Sequence, residues 1–164
     1  MTVIGLGAWC DYVTEEEERA RLRLEVSRSD SKPGSGWAPA DENALEQAHF
    51  ERRLSFRVQE FADLADGRRI TLHDERGYST SSVLPSGPSD PWRFQTLESI
   101  EFDVRTTVLP DDDKGEEHPW EWLVELLHAQ GVDASIDELK RVPYRVELSE
   151  RLLAKLQHSP RSED

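Results

Sequence analysis

Residues 54–72 read LSFRVQEFADLADGRRITL, and this stretch sets the class of fold. Leu54, Phe56 and Val58 alternate with Ser55 and Arg57, the period of a strand with one buried face. Asp66-Gly67 supplies the positive φ angles of a tight turn, and Ile70 and Leu72 continue the apolar face on the far side. The stretch therefore predicts an antiparallel hairpin.

The same period recurs on both sides. Ala20, Leu22, Leu24 and Val26 alternate with Arg21, Arg23 and Glu25, which predicts a strand, although Thr14-Glu15-Glu16-Glu17 just before has the spacing of a helix capping box. Ile100, Phe102, Val104 and Thr106 alternate with Glu101, Asp103 and Arg105 and predict the longest strand. Tyr144, Val146 and Leu148 predict a last one.

Helical signals gather in the final third. Pro119 suits the first position of a helix and Gly131 its C-terminal cap. Trp120, Leu123, Val124 and Leu127 share one face of that helix, widened by Trp122, Leu126 and Ala129. Ser135-Ile136-Asp137-Glu138 is a capping box opening a second, short helix that Pro143 stops. Ser149 caps a third, carrying Leu152, Leu153 and Leu156, and residues 42–50 (ENALEQAHF) predict a short helix entering the hairpin. The expected fold is α+β: a mostly antiparallel sheet in the first two thirds, with helices from the C-terminal third on one face.

Thirty-eight Leu, Ile, Val and Phe among 164 residues are enough for one core. The domain is expected to span 1–158, followed by a frayed tail at 159–164. Ser-, Gly- and Pro-rich or acidic loops are expected at 27–41, 79–91 and 110–118. Trp37 and Trp92, in or beside the first two loops, are expected to pin them to the core, because a Trp left in water forgoes a large burial gain.

Net charge is −14, which repels nucleic-acid backbones and anionic bilayers, so neither is an expected direct partner. Cys10 is the one cysteine, which rules out an internal disulfide or a thiolate zinc cluster and fits a reducing compartment. The short apolar run Leu6-Gly7-Ala8-Trp9-Cys10 lacks the basic start and length of a signal peptide, so a cytoplasmic location is expected.

The charge is unevenly placed. Glu98 to Glu138 holds 13 acidic residues against Arg105 and Lys114, a net −11, and leaves −3 for everything else. Its peak is Asp111, Asp112, Asp113, Glu116 and Glu117, just before Trp120, Glu121 and Trp122. A charge run is most often a solvated loop. Beside aromatics it also has the composition of a docking surface, where charge steers and aromatics anchor. It is not an EF-hand: counted from Asp111, position 5 is Gly115, position 6 is Glu116 and position 12 is Trp122.

His118, Glu121, Glu125 and His128 follow one another at spacings of three, four and three, and so share a helix face. They form an alternative metal-ligand set that His73 and Asp74 would have to complete; as an ordinary helix they are simply its wet side. No phosphate loop, nucleophile elbow or complete dinucleotide glycine motif occurs, and no cofactor is expected. Cys10 beside Asp11 is expected to be inert.

These features point to a non-catalytic acidic module of the immunity or inhibitor type, covering a basic protein partner such as a nuclease. Partner contacts are expected from Asp111, Asp112, Asp113, Glu116, Glu117, Trp120, Glu121 and Trp122. The alternative is a small-ligand-binding or metal-dependent enzyme domain whose site is assembled from residues distant in sequence.

Overall fold

In the computed structural model, which describes residues 2–29, 53–81, 90–109 and 120–158, a mixed sheet is covered by helices in an α+β arrangement. The chain order is β1 (Val3–Val13), α1 (Glu15–Ser29), β2 (Arg53–Leu64), β3 (Arg69–Ser81), a 3₁₀ turn (Pro91–Phe94), α2 (Leu97–Val108), α3 (Trp120–Ala129), α4 (Ile136–Leu139), β4 (Tyr144–Leu148) and α5 (Glu150–His158). The described strands lie in the order β3-β2-β1-β4. β1 and β2 are antiparallel, as are β2 and β3, whereas β4 runs parallel to β1.

The hairpin forms as its sequence predicts. Gly67 takes φ 87°, and the Asp66 side chain accepts hydrogen bonds from the Arg68 backbone and guanidinium. Leu54, Phe56, Val58, Ala62 and Leu64 all face inward and are buried. The three predicted C-terminal elements form too: Gly131 ends α3 at φ 76°, Ser135 and Glu138 cap each other at α4, and the Ser149 hydroxyl accepts from Leu152 N at the start of α5.

Three elements depart from the sequence reading. Residues 20–26 are helical, within α1, because Thr14 and Glu17 complete the capping box: Thr14 N donates to Glu17 Oε2 at 2.8 Å and Glu17 N to Thr14 Oγ1 at 3.2 Å. Residues 100–106 are helical as well, within α2. There Ile100, Val104 and Val108, spaced by four, are wholly buried, and Thr96 and Ser99 cap each other at its start. A period of two and a period of four both contain Ile100 and Val104; the reciprocal cap selects the helix. The third departure is β1, a strand at the centre of the sheet.

The irregular segment expected at 27–41 begins with the last residues of α1 and otherwise lies outside the described residues. So do the helix expected at 42–50, Trp37, Pro119, the acidic loop at 110–118 and the tail at 159–164. Of the segment 79–91, residues 79–81 complete β3 and Asp90 caps the 3₁₀ turn. Trp92 in that turn is buried, edge-on to Tyr12 and Phe56, and pins the turn to the core as expected.

The inner face of the sheet carries two apolar clusters. One joins Leu6, Ala62, Leu64 and Leu72 to Leu123 and Leu127 of α3 and Leu139 of α4. The other joins Ala8, Cys10, Phe56 and Val58 to Trp92, Ile100 and Val104 of α2, and Leu152 of α5. Each fully buried leucine contributes roughly 2 kcal/mol to folding.

The outer face is built around Gly7 and Phe61, which are paired across β1 and β2. Phe61 is buried beneath the Arg69 guanidinium, 3.7 Å from its ring centroid, and Arg145, 5.4 Å from it. A Cβ at position 7 would meet the Phe61 ring at 2.5 Å and the Arg145 carbonyl oxygen at 2.6 Å. Gly7→Ala is therefore expected to destabilise the fold by about 1–3 kcal/mol through overpacking, read as a lower urea midpoint.

Candidate functional site

Among the described residues, Arg57, Arg69, Arg145 and Arg151 pair with carboxylates on the outer face of the sheet. Arg69 donates to Asp63 at 2.9 Å and to both oxygens of Glu147, and Arg145 pairs with the same two carboxylates. At the other end of β1, the buried Asp11 accepts from Ser149 Oγ at 2.6 Å, from Arg57 at 2.9 Å and from Arg151 Nε at 2.9 Å. Arg57 and Arg151 also reach Glu17, and Arg151 donates to the Tyr12 carbonyl. Burial, the largest single influence on Asp11, pushes its carboxyl up. The hydrogen bonds from Arg151, Ser149 and Arg57 outweigh that and hold it below the usual range. The cluster ties β1, α1, β2 and α5 together.

The helical layer is charged differently. Arg105 is directed inward, donating to the Tyr144 carbonyl at 3.1 Å with its guanidinium over the Tyr144 ring. Among the described residues no ion pair engages Glu101, Glu121 or Glu125, and the latter two are exposed. On the solvent side of α2, one turn after Glu98, Phe102 is 66% exposed.

Asp111, Asp112, Asp113, Glu116, Glu117 and His118 lie outside the described residues. Trp120 and Trp122 are both half-buried against the α3 cluster, with Lys140 over the Trp120 ring and Arg76 over the Trp122 ring. His128 meets Asp133 at 3.2 Å rather than a glutamate. His73 lies edge-on to Trp122, and Asp74 is exposed. Among the described residues no group of three His, Cys, Asp or Glu side chains is placed to hold a metal ion. Cys10 is buried, and burial pushes its thiol up to about 12, with Asp11 adding to the effect and a Tyr78 hydrogen bond opposing it. It has no thiolate character at neutral pH.

A second polar cluster lies on the inner face. Glu60 occupies the inward phase of β2 between Val58 and Ala62 and is only 2% exposed. It sits in one transverse row with Val146, Ala8 and His73, at the seam between the two apolar clusters. Burial raises its carboxyl to about 7, partly opposed by the Arg76 charge. Tyr144 packs against both clusters; burial and then the Glu60 charge push its hydroxyl up, against the pull of Arg105. Among the described residues Glu60 Oε2, His73 Nδ1 and the Tyr144 hydroxyl are buried without a hydrogen-bond partner. β3 takes two extra residues opposite this point, since Val58 pairs with Arg76, Glu60 with His73 and Phe61 with Thr71. Such bulges re-aim side chains, and they recur beside functional sites.

The sequence held a signal for this cluster. Glu60 falls in phase with Leu54, Phe56, Val58, Ala62 and Leu64, so a regular strand had to carry it inward. Scans against protein-family models, curated proteins and solved structures find no match to this chain.

Proposed function

We propose that the protein is an acidic binding module that covers a basic surface of a partner protein, in the manner of an immunity protein or an inhibitor. The observation that carries this reading is the separation of charge between its two layers. Arg57, Arg69 and Arg145 of the sheet, together with Arg151 of α5, close ion pairs with Asp11, Asp63 and Glu147 on the outer face. The described parts of the segment from Glu98 to Glu138 carry eight acidic residues against Arg105 through α2, α3 and α4, and the sequence between α2 and α3 adds Asp111, Asp112, Asp113, Glu116 and Glu117 against Lys114. Uncompensated charge of one sign accelerates encounter with the opposite sign and rejects like-charged partners.

The half-buried Trp120 and Trp122 present only part of their surface. Phe102, exposed on α2, supplies the apolar contact that steering alone lacks. Asp111 to Asp113, Glu116, Glu117 and Glu121 act as the long-range attractors.

The variant Asp111→Asn, Asp112→Asn, Asp113→Asn tests the steering. Its association with the captured partner, followed by stopped flow, is expected to be about tenfold slower at low salt, with a flatter dependence on ionic strength. An association rate equal to that of the parent protein at every salt concentration contradicts the reading.

A further inference from the structure

We propose that the open edge of β4 is an interface between two copies of this chain, which pair antiparallel across a twofold axis at Val146 and join their sheets into one. The inference is independent of the acidic helical layer.

The hydrogen bonds of β4 leave one side of the strand open. Leu6 N donates to the Pro143 carbonyl at 3.0 Å and Ser149 N to the Cys10 carbonyl at 2.9 Å. Between them Tyr144 lies beside Leu6, Val146 beside Ala8 and Leu148 beside Cys10. Alternate residues of a strand direct their backbone groups to opposite sides. Arg145 and Glu147 therefore bond β1, while Tyr144, Val146 and Leu148 turn N–H and C=O away from it. Among the described residues β4 has no second neighbour in the sheet. Arg105 donates to the Tyr144 carbonyl at 3.1 Å, which takes one lone pair of that oxygen and leaves the other. The opposite edge, β3, is interrupted by two bulges, one of the devices that blunt edge pairing, whereas β4 has none.

The occupant follows from the sequence of the strand, Tyr144-Arg145-Val146-Glu147-Leu148, which is complementary to itself. With Val146 opposite its own copy, Arg145 lies opposite the partner's Glu147 and Tyr144 opposite the partner's Leu148. Opposite charges then face each other twice on the outer side of the sheet. Tyr144, Val146 and Leu148, each half-buried in the single chain, meet their apolar counterparts on the inner side. The Val146 pair and the two pairs of Tyr144 with Leu148 are the hydrogen-bonded ones, so they use the backbone groups that β1 does not. No other register does this. A centre on Arg145 or Glu147 sets like charges together and matches residues whose hydrogen bonds are spent on β1. A centre between two residues sets the inner face of one sheet beside the outer face of the other. Within each chain Arg145 already pairs with Asp63 and Glu147, and Glu147 with Arg69. The twofold extends that alternating network and leaves none of its charges opposed. Such an interface is isologous, with every contact made twice.

Sedimentation velocity of the intact protein tests the proposal in about 0.15 M salt, where repulsion between two chains of net charge −14 is screened beyond about 8 Å. The parent protein is expected to pass from monomer to dimer between about 1 and 100 μM, the range of a small interface. Arg145→Glu and Glu147→Arg each set like charges opposite one another at both sites. Each variant alone, folded by circular dichroism, is expected to dimerise about tenfold more weakly or worse. Mixed in equal amounts, the two variants set opposite charges together again and are expected to recover the dimer. In the parent protein, hydrogen exchange of the Val146 amide is expected to slow as concentration rises through the same range, a readout that needs no variant. A protein still monomeric at about 100 μM overturns the proposal. A dimer that tolerates both substitutions, a mixture that recovers nothing, or a Val146 amide indifferent to concentration overturns the β4 register.

Discussion

Replacing Asp11 with alanine is expected to lower the free energy of unfolding by about 2–4 kcal/mol, because it removes the acceptor of several hydrogen bonds made to one buried charge. Asp11 is 3% exposed and accepts from Arg57 of β2 and from Ser149 and Arg151 at the start of α5. Removing the carboxylate leaves the Ser149 hydroxyl buried without its acceptor and two guanidiniums facing one another with only Glu17 between them. Urea denaturation at pH 7 measures the loss. Asp11→Asn, which keeps the shape and part of the hydrogen bonding, is expected to lose less.

The pH dependence has a definite sign. The folded-state pKa of Asp11 lies below its ordinary value of 3.8, so its contribution is fully present above that value. It disappears as pH falls through the lowered pKa. Acid unfolding of the parent protein below pH 4 is expected to be blunted in Asp11→Asn, whose remaining stability does not depend on this proton.

Glu60 behaves in the opposite sense, and Glu60→Gln is expected to stabilise the protein at pH 8 by about 3 kcal/mol. Its carboxyl titrates at about 7 in the folded protein against an ordinary value of 4.5, because burial penalises the charge. The neutral form is therefore the better-tolerated one. The stability associated with it is complete below pH 4.5 and is lost as pH rises through 7. Glutamine keeps the shape of the neutral acid at every pH. Unfolding free energies of the two proteins are expected to coincide at pH 4.5 and to separate progressively up to pH 8. Parallel profiles across that range contradict the assignment.

The elements differ in how far the sequence discloses them. The β2–β3 hairpin is legible because its alternation and its Asp-Gly turn agree, and α3, α4 and α5 because their caps are explicit at Gly131, Ser135 and Ser149. α2 is misread because Ile100, Val104 and Thr106 are β-branched and fit a period of two. The contrary signal, Thr96 capped by Ser99 rather than by glutamate or glutamine, falls outside the usual capping pattern. α1 offers both readings, and only the Thr14–Glu17 bonds settle it.

β1 escapes notice for a different reason. Its outward positions include Gly5, Gly7 and Trp9 rather than charged residues, so the alternation of Leu6, Ala8 and Cys10 has no polar contrast. The glycine at position 7 belongs there because Phe61 and the Arg145 carbonyl crowd that point from the neighbouring strands, a pressure that no local pattern reveals. The acidic segment is visible as composition. The closing of the arginines onto the opposite face is not, because Arg69 meets Glu147 and Arg151 meets Asp11 only after the strands are assembled.

Affinity capture with the intact protein from its source cell, run in parallel at low and high salt and resolved by mass spectrometry, decides whether the acidic segment recruits a basic protein. One basic protein is expected to be retained at low salt, to be released as salt rises, and to be held less well by the Asp111→Asn, Asp112→Asn, Asp113→Asn variant. A capture that is empty at low salt, or a partner that is acidic and indifferent to salt, contradicts that expectation.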